Sequence, residues 1–172
     1  MVNTPVRGAA RATTVGLGAV ALVCASALVP LGTAQAADPG DQVTLLTFND
    51  FHGALDSGEA FACTVVNTQA QYPNSALLSA GDNVGGSAFA SAVQNDEPTI
   101  DFLNALEVDA SAIGNHEYDQ GQDDLLERIE PRTDFPDLAA NVYTEAGERL
   151  HEPYAIIDAG DVKVAVIGAV TT

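Results

Sequence analysis

Three short polar clusters in this chain could do chemistry together: Asp50-Phe51-His52-Gly53, Gly81-Asp82-Asn83 and Gly114-Asn115-His116-Glu117. They hold carboxylates, imidazoles and an amide, a mixed donor set of the kind that Mn, Zn, Fe or Co accept. Asp50 and His52 stand two apart, where a loop can turn both side chains inward. Asp82 offers a carboxylate with two oxygens, enough to bridge two ions. Asn115 offers a neutral carbonyl oxygen. Two such ions about 3.5–4 Å apart activate water and stabilise both oxygens of an in-line displacement at phosphorus. Plainer alternatives exist for each residue: Asp50 as a turn or helix cap, Asn115 in a left-handed turn, Gly81-Asp82 as a turn alone.

Each cluster follows a short apolar run. Residues 43–48, 75–80 and 110–113 predict strands short and apolar enough to be buried on both faces. In open α/β sheets, sites assemble outside the carboxyl ends of the strands, so three polar clusters at three such ends should converge. Residues 59–71 predict a helix closed by Pro73-Asn74. Pro98 suits the first turn of another, with Asn95 or Asp96 as cap and Ile100, Leu103 and Leu106 on one face. Residues 123–129 predict a third helix, stopped by Pro131; its Asp123, Asp124 and Glu127 read as a solvated face. A strand is expected over 138–142, and a hairpin over 154–158 and 162–167 around a Gly160-Asp161 turn. Gly85, Gly86 and Ser87 read either as part of a phosphate pocket or as an ordinary loop. Alternating strands and helices make this an α/β fold.

The chain has 172 residues, room for one ordinary domain. It carries 24 acidic against 6 basic residues. Arg7 and Arg11 precede the first acid, Asp38, so downstream of Ala36 the balance is 24 against 4, a net charge of −20. A surface that acidic argues against an electrostatic grip on nucleic acid or anionic lipid. Arg7 and Arg11, the apolar run 15–31 and Ala34-Gln35-Ala36 predict a secretory signal peptide over 1–36, leaving 37–172 as the mature segment, with no membrane span in it. Cys63 is then the only mature cysteine and reads as a small buried residue, or one that pairs outside this sequence.

The strings LLTFNDFHG, LLSAGDN and AIGNHEYDQG resemble the metallophosphoesterase signature D-x-H, G-D, G-N-H-[DE]. They are most similar to the exported 5′-nucleotidase branch, which includes UDP-sugar hydrolases and 2′,3′-cyclic-nucleotide phosphodiesterases. Pro98-Thr99-Ile100 through Asn104-Ala105-Leu106 and Val164 to Gly168 extend the likeness over nearly all of 37–172. The resemblance implies a four-layer α/β/β/α sandwich, of which this chain supplies the N-terminal part, mainly one sheet. It implies two divalent metal ions: Asp50 and His52 would bind the first, Asp82 would bridge both, and Asn115 would bind the second. His116 would be the catalytic histidine beside the phosphate, with Asp119 orienting its imidazole and favouring its charged form. Glu117 belongs to the motif without being a ligand. Tyr118 replaces the more usual Phe, and its hydroxyl needs a partner if buried.

The implied activity is hydrolysis of nucleotide phosphate esters, with cyclic nucleotides or nucleotide sugars as alternative substrates. The family's further ligand histidines lie downstream of the matched motifs. This chain has only His52, His116 and His151, and no family motif surrounds His151, which reads as a solvated loop histidine. A weakly active or non-catalytic secreted fragment is therefore the second expectation. Its uncovered apolar sheet face is expected to favour aggregation. Oligomeric state is left open.

Overall fold

A computed structural model describes residues 42–171; the signal-peptide reading of residues 1–36 lies outside them. Four strands form one parallel sheet in chain order: β1 (Thr44–Phe48), β2 (Ser75–Ser79), β3 (Ala110–Ala112) and β4 (Asp137–Leu138). The β1–β2 register runs from Thr44 opposite Ser75 to Phe48 opposite Ser79. Parallel neighbours need crossovers, which helices supply. Helix α1 (Gly58–Gln71) links β1 to β2, and α2 (Phe89–Ala92) and α3 (Glu97–Ala105) link β2 to β3. Between β3 and β4, α4 (Gln122–Asp124) runs into a five-residue π-helical turn, Leu125–Ile129. A separate antiparallel hairpin follows, β5 (Tyr154–Ala159) and β6 (Val162–Ile167).

Pro98 lies in the first turn of α3, where its fixed φ suits a helix and its missing N–H costs nothing. Asp96 occupies the cap position, but its carboxylate is used elsewhere: Oδ1 accepts from the Ser91 hydroxyl at 2.7 Å and Oδ2 from Gly85 N at 3.1 Å. Leu77, Val65, Leu103, Val108 and Phe135 close the core between the sheet and the helices. A second cluster, including Ile100, Ile113, Leu125 and Ile129, packs α3 and the π-helical turn together near the end of β3. The other sheet face is lined by Ala76, Ala110 and Leu138, and Ile157 and Ala159 of the hairpin pack on it. Small alanines there let the second layer come close.

The described residues thus form three layers: helices, parallel sheet and hairpin. The sheet face expected to lie bare is largely covered; the bare apolar face is the outer side of the hairpin, where Tyr154, Ile156 and Ile167 are exposed. The strand expected over 138–142 stops at Leu138. Beyond it, Ala139 N donates to Glu152 O and Ala140 N to Gly168 O, so the backbone leaves β3 for the segments flanking the hairpin. Cys63 is exposed, not buried, because Val65 two residues on takes the inward face of α1. Asp123 is solvated as expected, whereas Asp124 pairs with Arg128 at 2.6 Å. No helix among the described residues is long and apolar enough to cross a membrane.

Candidate active site

The carboxyl ends of β1, β2 and β3 lie side by side, and their loops are sewn together beyond the sheet. Asp50 N donates to Gly81 O at 3.2 Å, His52 N to Asp82 O at 3.0 Å and Gly53 N to Asn83 O at 3.2 Å. Asp50, His52 and Asp82 all hold positive φ, at 52°, 44° and 57°. Such strain in non-glycine residues persists only where surrounding bonds over-determine it.

Glu117 supplies many of those bonds. It is 3% exposed, and its carboxylate accepts from the backbone N–H groups of Asp82 at 3.0 Å, Asn83 at 2.8 Å and Gly114 at 2.7 Å. Burial raises its pKa above the usual carboxylate range, against the pull of those amides. Asn83, also buried, accepts from Ser79 Oγ at 2.6 Å and donates to Ser111 Oγ at 2.9 Å, tying the ends of β2 and β3 together.

The Gly85-Gly86 loop orients the two imidazoles. His52 Nδ1 lies 2.7 Å from Gly85 O, so it is the protonated nitrogen and Nε2 is left bare. Gly86 N donates to Asp119 Oδ2 at 2.9 Å, and the same oxygen lies 3.0 Å from His116 Nδ1. That hydrogen bond raises the His116 pKa and lowers that of Asp119. A Cβ on Gly85 would stand 2.2 Å from His116 O, and one on Gly86 would meet both imidazoles at 3.3–3.5 Å. The loop is therefore a strut under the site, not an ordinary connection.

What converges is a donor cluster. His52, Asp82 and His116 each present a ligand atom, and these lie within 4.8 Å of one another. The two rings meet edge to face with centroids 4.8 Å apart. Asp50 Oδ1 lies 3.6 Å from His52 Nε2, close to the spacing of two ligands on one ion, whose bonds are each about 2.0–2.2 Å. Asp82 Oδ1 also accepts from His116 N at 2.9 Å, leaving its other oxygen free. Asn115 is exposed at the start of the turn carrying His116. The bare His52 Nε2 with the Asp50 and Asp82 carboxylates fits a divalent metal.

No protein-family model matches the chain. It is 36% identical over 165 residues to Silent protein UshA(0) of Salmonella typhimurium, covering 89% of this chain and 30% of that protein. It is 36% identical over 147 residues to a 5′-nucleotidase of Vibrio cholerae, covering 78% of this chain and 26% of that one. The crystal structure of the calcineurin-like phosphoesterase YfkN from Bacillus subtilis matches with TM-score 0.58 at 28% identity, over 74% of this chain and 48% of that one. These matches support a place for the chain in the 5′-nucleotidase family of calcineurin-like metallophosphoesterases. It spans less than a third of the length of those two relatives.

Against the family signature, the structure brings His52, Asp82 and His116 into one cluster, with Asp50 against His52 and Asp119 behind His116. Three contributors were missed from the sequence. The motif marks Glu117 only as a non-ligand, and nothing in its sequence neighbourhood announces a carboxylate that holds four amides. Gly85-Gly86 alone does not distinguish a phosphate-pocket loop from an ordinary one. His151 is not a solvated loop residue: it is 6% exposed. Its Nδ1 lies 2.5 Å from Glu130 Oε1 and its Nε2 lies 2.5 Å from the Tyr118 hydroxyl. Both ring nitrogens are taken, so His151 does not act as a spare metal ligand. Burial pushes the Tyr118 phenol up to about 12, helped by Glu130 and Glu117, which keeps it a hydrogen-bond donor at neutral pH.

Proposed function

We propose that this chain is the N-terminal catalytic part of an exported 5′-nucleotidase, with residues 1–36 as its signal peptide. The observation that carries the reading is the cluster of His52, Asp82 and His116 at consecutive strand ends, in a chain akin to 5′-nucleotidases. Asp50 and His52 would hold one divalent ion, Asp82 would be shared, and Asn115 would serve a second. Ions bound there supply the charge that activates water and stabilises the phosphoryl oxygens. The protein's own part is electrostatic and geometric. With a net charge of −20 downstream of Ala36, the surface repels a phosphate ester, and His116, whose pKa the Asp119 carboxylate raises, supplies a local positive group when protonated. As the P–O bond to the leaving oxygen breaks, His116 gives that oxygen its Nε2 proton; the proton lost by the attacking water restores the balance. The products are a nucleoside and phosphate.

A second reading is favoured by the occupancy of His151. With that imidazole committed to Tyr118 and Glu130, no third histidine of this chain serves the site, and the second ion keeps only Asp82 and Asn115. This chain alone would then hold metal weakly and turn over slowly.

The test measures ions per chain with Mn²⁺ or Zn²⁺ and the product each substrate must give: phosphate from AMP, a nucleoside monophosphate from a 2′,3′-cyclic nucleotide, and UMP with a sugar 1-phosphate from a UDP-sugar. Asp82→Ala should lose the metal. His116→Ala in the full-length protein should keep it while kcat falls about 10²–10⁴-fold, the usual worth of a general acid. Loss of metal in His116→Ala would make His116 a ligand instead.

A further inference from the structure

The turn that carries His116 is only three residues long, His116–Tyr118, in 3₁₀ geometry. So short a turn does not hold its own orientation. Side-chain anchors must do so, and two have been described: Glu117 to the amides beyond β2 and β3, and Asp119 to Gly86. The third is Tyr118. Its hydroxyl donates to His151 Nε2 at 2.5 Å, the rings pack edge to face at 5.9 Å, and His151 Nδ1–H donates to Glu130 at 2.5 Å. The His151 side chain is fully buried. Its own position is fixed from outside, because Glu152 O accepts from Ala139 N beyond β4. Glu130 follows the π-helical turn directly, and its amide closes that turn on Leu125 O at 2.9 Å. A buried imidazole satisfied at both nitrogens by a phenol and a carboxylate is a costly arrangement to assemble, and packing alone does not require it.

We propose that His151 is a positioning residue for the phosphoester chemistry: held by Glu130, it clamps Tyr118 and so fixes the angle at which His116 meets the leaving oxygen. The inference rests on the phosphoesterase reading above. Because the Tyr118 hydroxyl and the His151 imidazole bond to each other and to Glu130, and to none of His52, Asp82 and His116, their loss should act on kcat and leave binding alone.

Tyr118→Phe, His151→Phe, the double variant and His151→Gln are compared in the full-length protein with AMP at saturating Mn²⁺. Each single Phe variant is expected to lose about tenfold in kcat, a plausible share of a general-acid effect, with KM within about twofold and metal content unchanged. The double variant should lose no more than either single one, since both partners are then apolar and neither polar tip is stranded. His151→Gln, which can still accept from Tyr118, should recover most of the loss. The second readout needs no metal: in ¹⁵N-edited spectra of the metal-free protein, the His116 Nδ1–H signal should shift or broaden in Tyr118→Phe and return in His151→Gln. Unchanged kcat in either single variant, multiplying losses in the double, or a KM change matching the kcat change would overturn the proposal. If the wild type hydrolyses no phosphate ester, the phosphoesterase reading fails by itself, and an unmoved His116 signal would then overturn the clamp separately.

Discussion

A buried carboxylate is costly unless its lone pairs are filled, and Glu117 fills them with the amides of Asp82, Asn83 and Gly114. Two of those amides flank the Asp82 Cα, which is held at positive φ, and the Gly114 amide lies across from them beyond β3. Glu117→Ala would strand the buried amides of Asn83, Val84 and Gly114 and the half-buried amide of Asp82, the buried ones worth about 1–3 kcal/mol each, so a stability loss on the order of 3 kcal/mol or more is expected. Metal affinity should fall with it, although Glu117 binds no metal. A melting curve and a metal titration check both, and an unchanged metal Kd would show that Asp82 holds its place unaided. Asp119→Asn tests the neighbouring link. The Asp119 carboxylate raises the His116 pKa, so the protonated imidazole persists above its ordinary range. Removing that charge should lower kcat about tenfold or more and move the alkaline limb of the kcat profile to lower pH. A limb that stays in place would separate Asp119 from the titration of His116.

At the scale of elements, what was legible in the sequence is what local pattern controls. The three short strands, helix α1, the Pro98 start of α3 and the hairpin all follow from apolar runs, Pro and Gly, and the strand-end rule places their polar clusters together. What was not legible depends on partners distant in the chain. The expected strand over 138–142 is cut short by pairing with Glu152 and Gly168. The end of the helix expected over 123–129 is a π-helical turn, and His151 is drawn inside by Tyr118 and Glu130. Strand β4 also carries a titration that no pattern signals. Burial pushes Asp137 up to about 7; the Thr133 hydroxyl opposes the shift, while Glu117 and Glu130 add to it. Its folded pKa thus lies above the unfolded value of about 3.9. The folded state holds the extra proton between those limits, so this group's contribution to stability is full below about pH 4 and is lost as pH rises through 7. Asp137→Asn keeps an acceptor for Thr133 and cannot ionise. It should raise Tm relative to wild type at pH 8 and change it little at pH 4; a difference independent of pH would remove Asp137 from the acid–base balance of the fold.

Across the whole molecule two long-range terms oppose each other. Charge keeps chains apart: residues 37–172 carry −20, and like charges repel over the Debye length, about 30 Å at 0.01 M salt and about 10 Å at 0.1 M. Apolar surface draws them together. On the outer side of the hairpin, Tyr154 stands opposite Ile167 and Ile156 opposite Ala165, and Tyr154, Ile156 and Ile167 are 56%, 56% and 72% exposed. Three large side chains at that exposure on one sheet face form a contiguous patch of the kind that associates or binds dye. Repulsion should win at low salt and the patch at high salt, because screening weakens only the first. The chain from Ala37 to Thr172 should therefore sediment as a monomer at 0.01 M salt and self-associate at 0.5 M, with bound hydrophobic dye in both. Ile156→Thr with Ile167→Thr keeps β-branched residues in the strands and removes apolar area, so it should abolish the salt-induced association with little change in Tm. A chain that stays monomeric at high salt and binds no dye would show that this hairpin face is not the sticky surface its exposure implies.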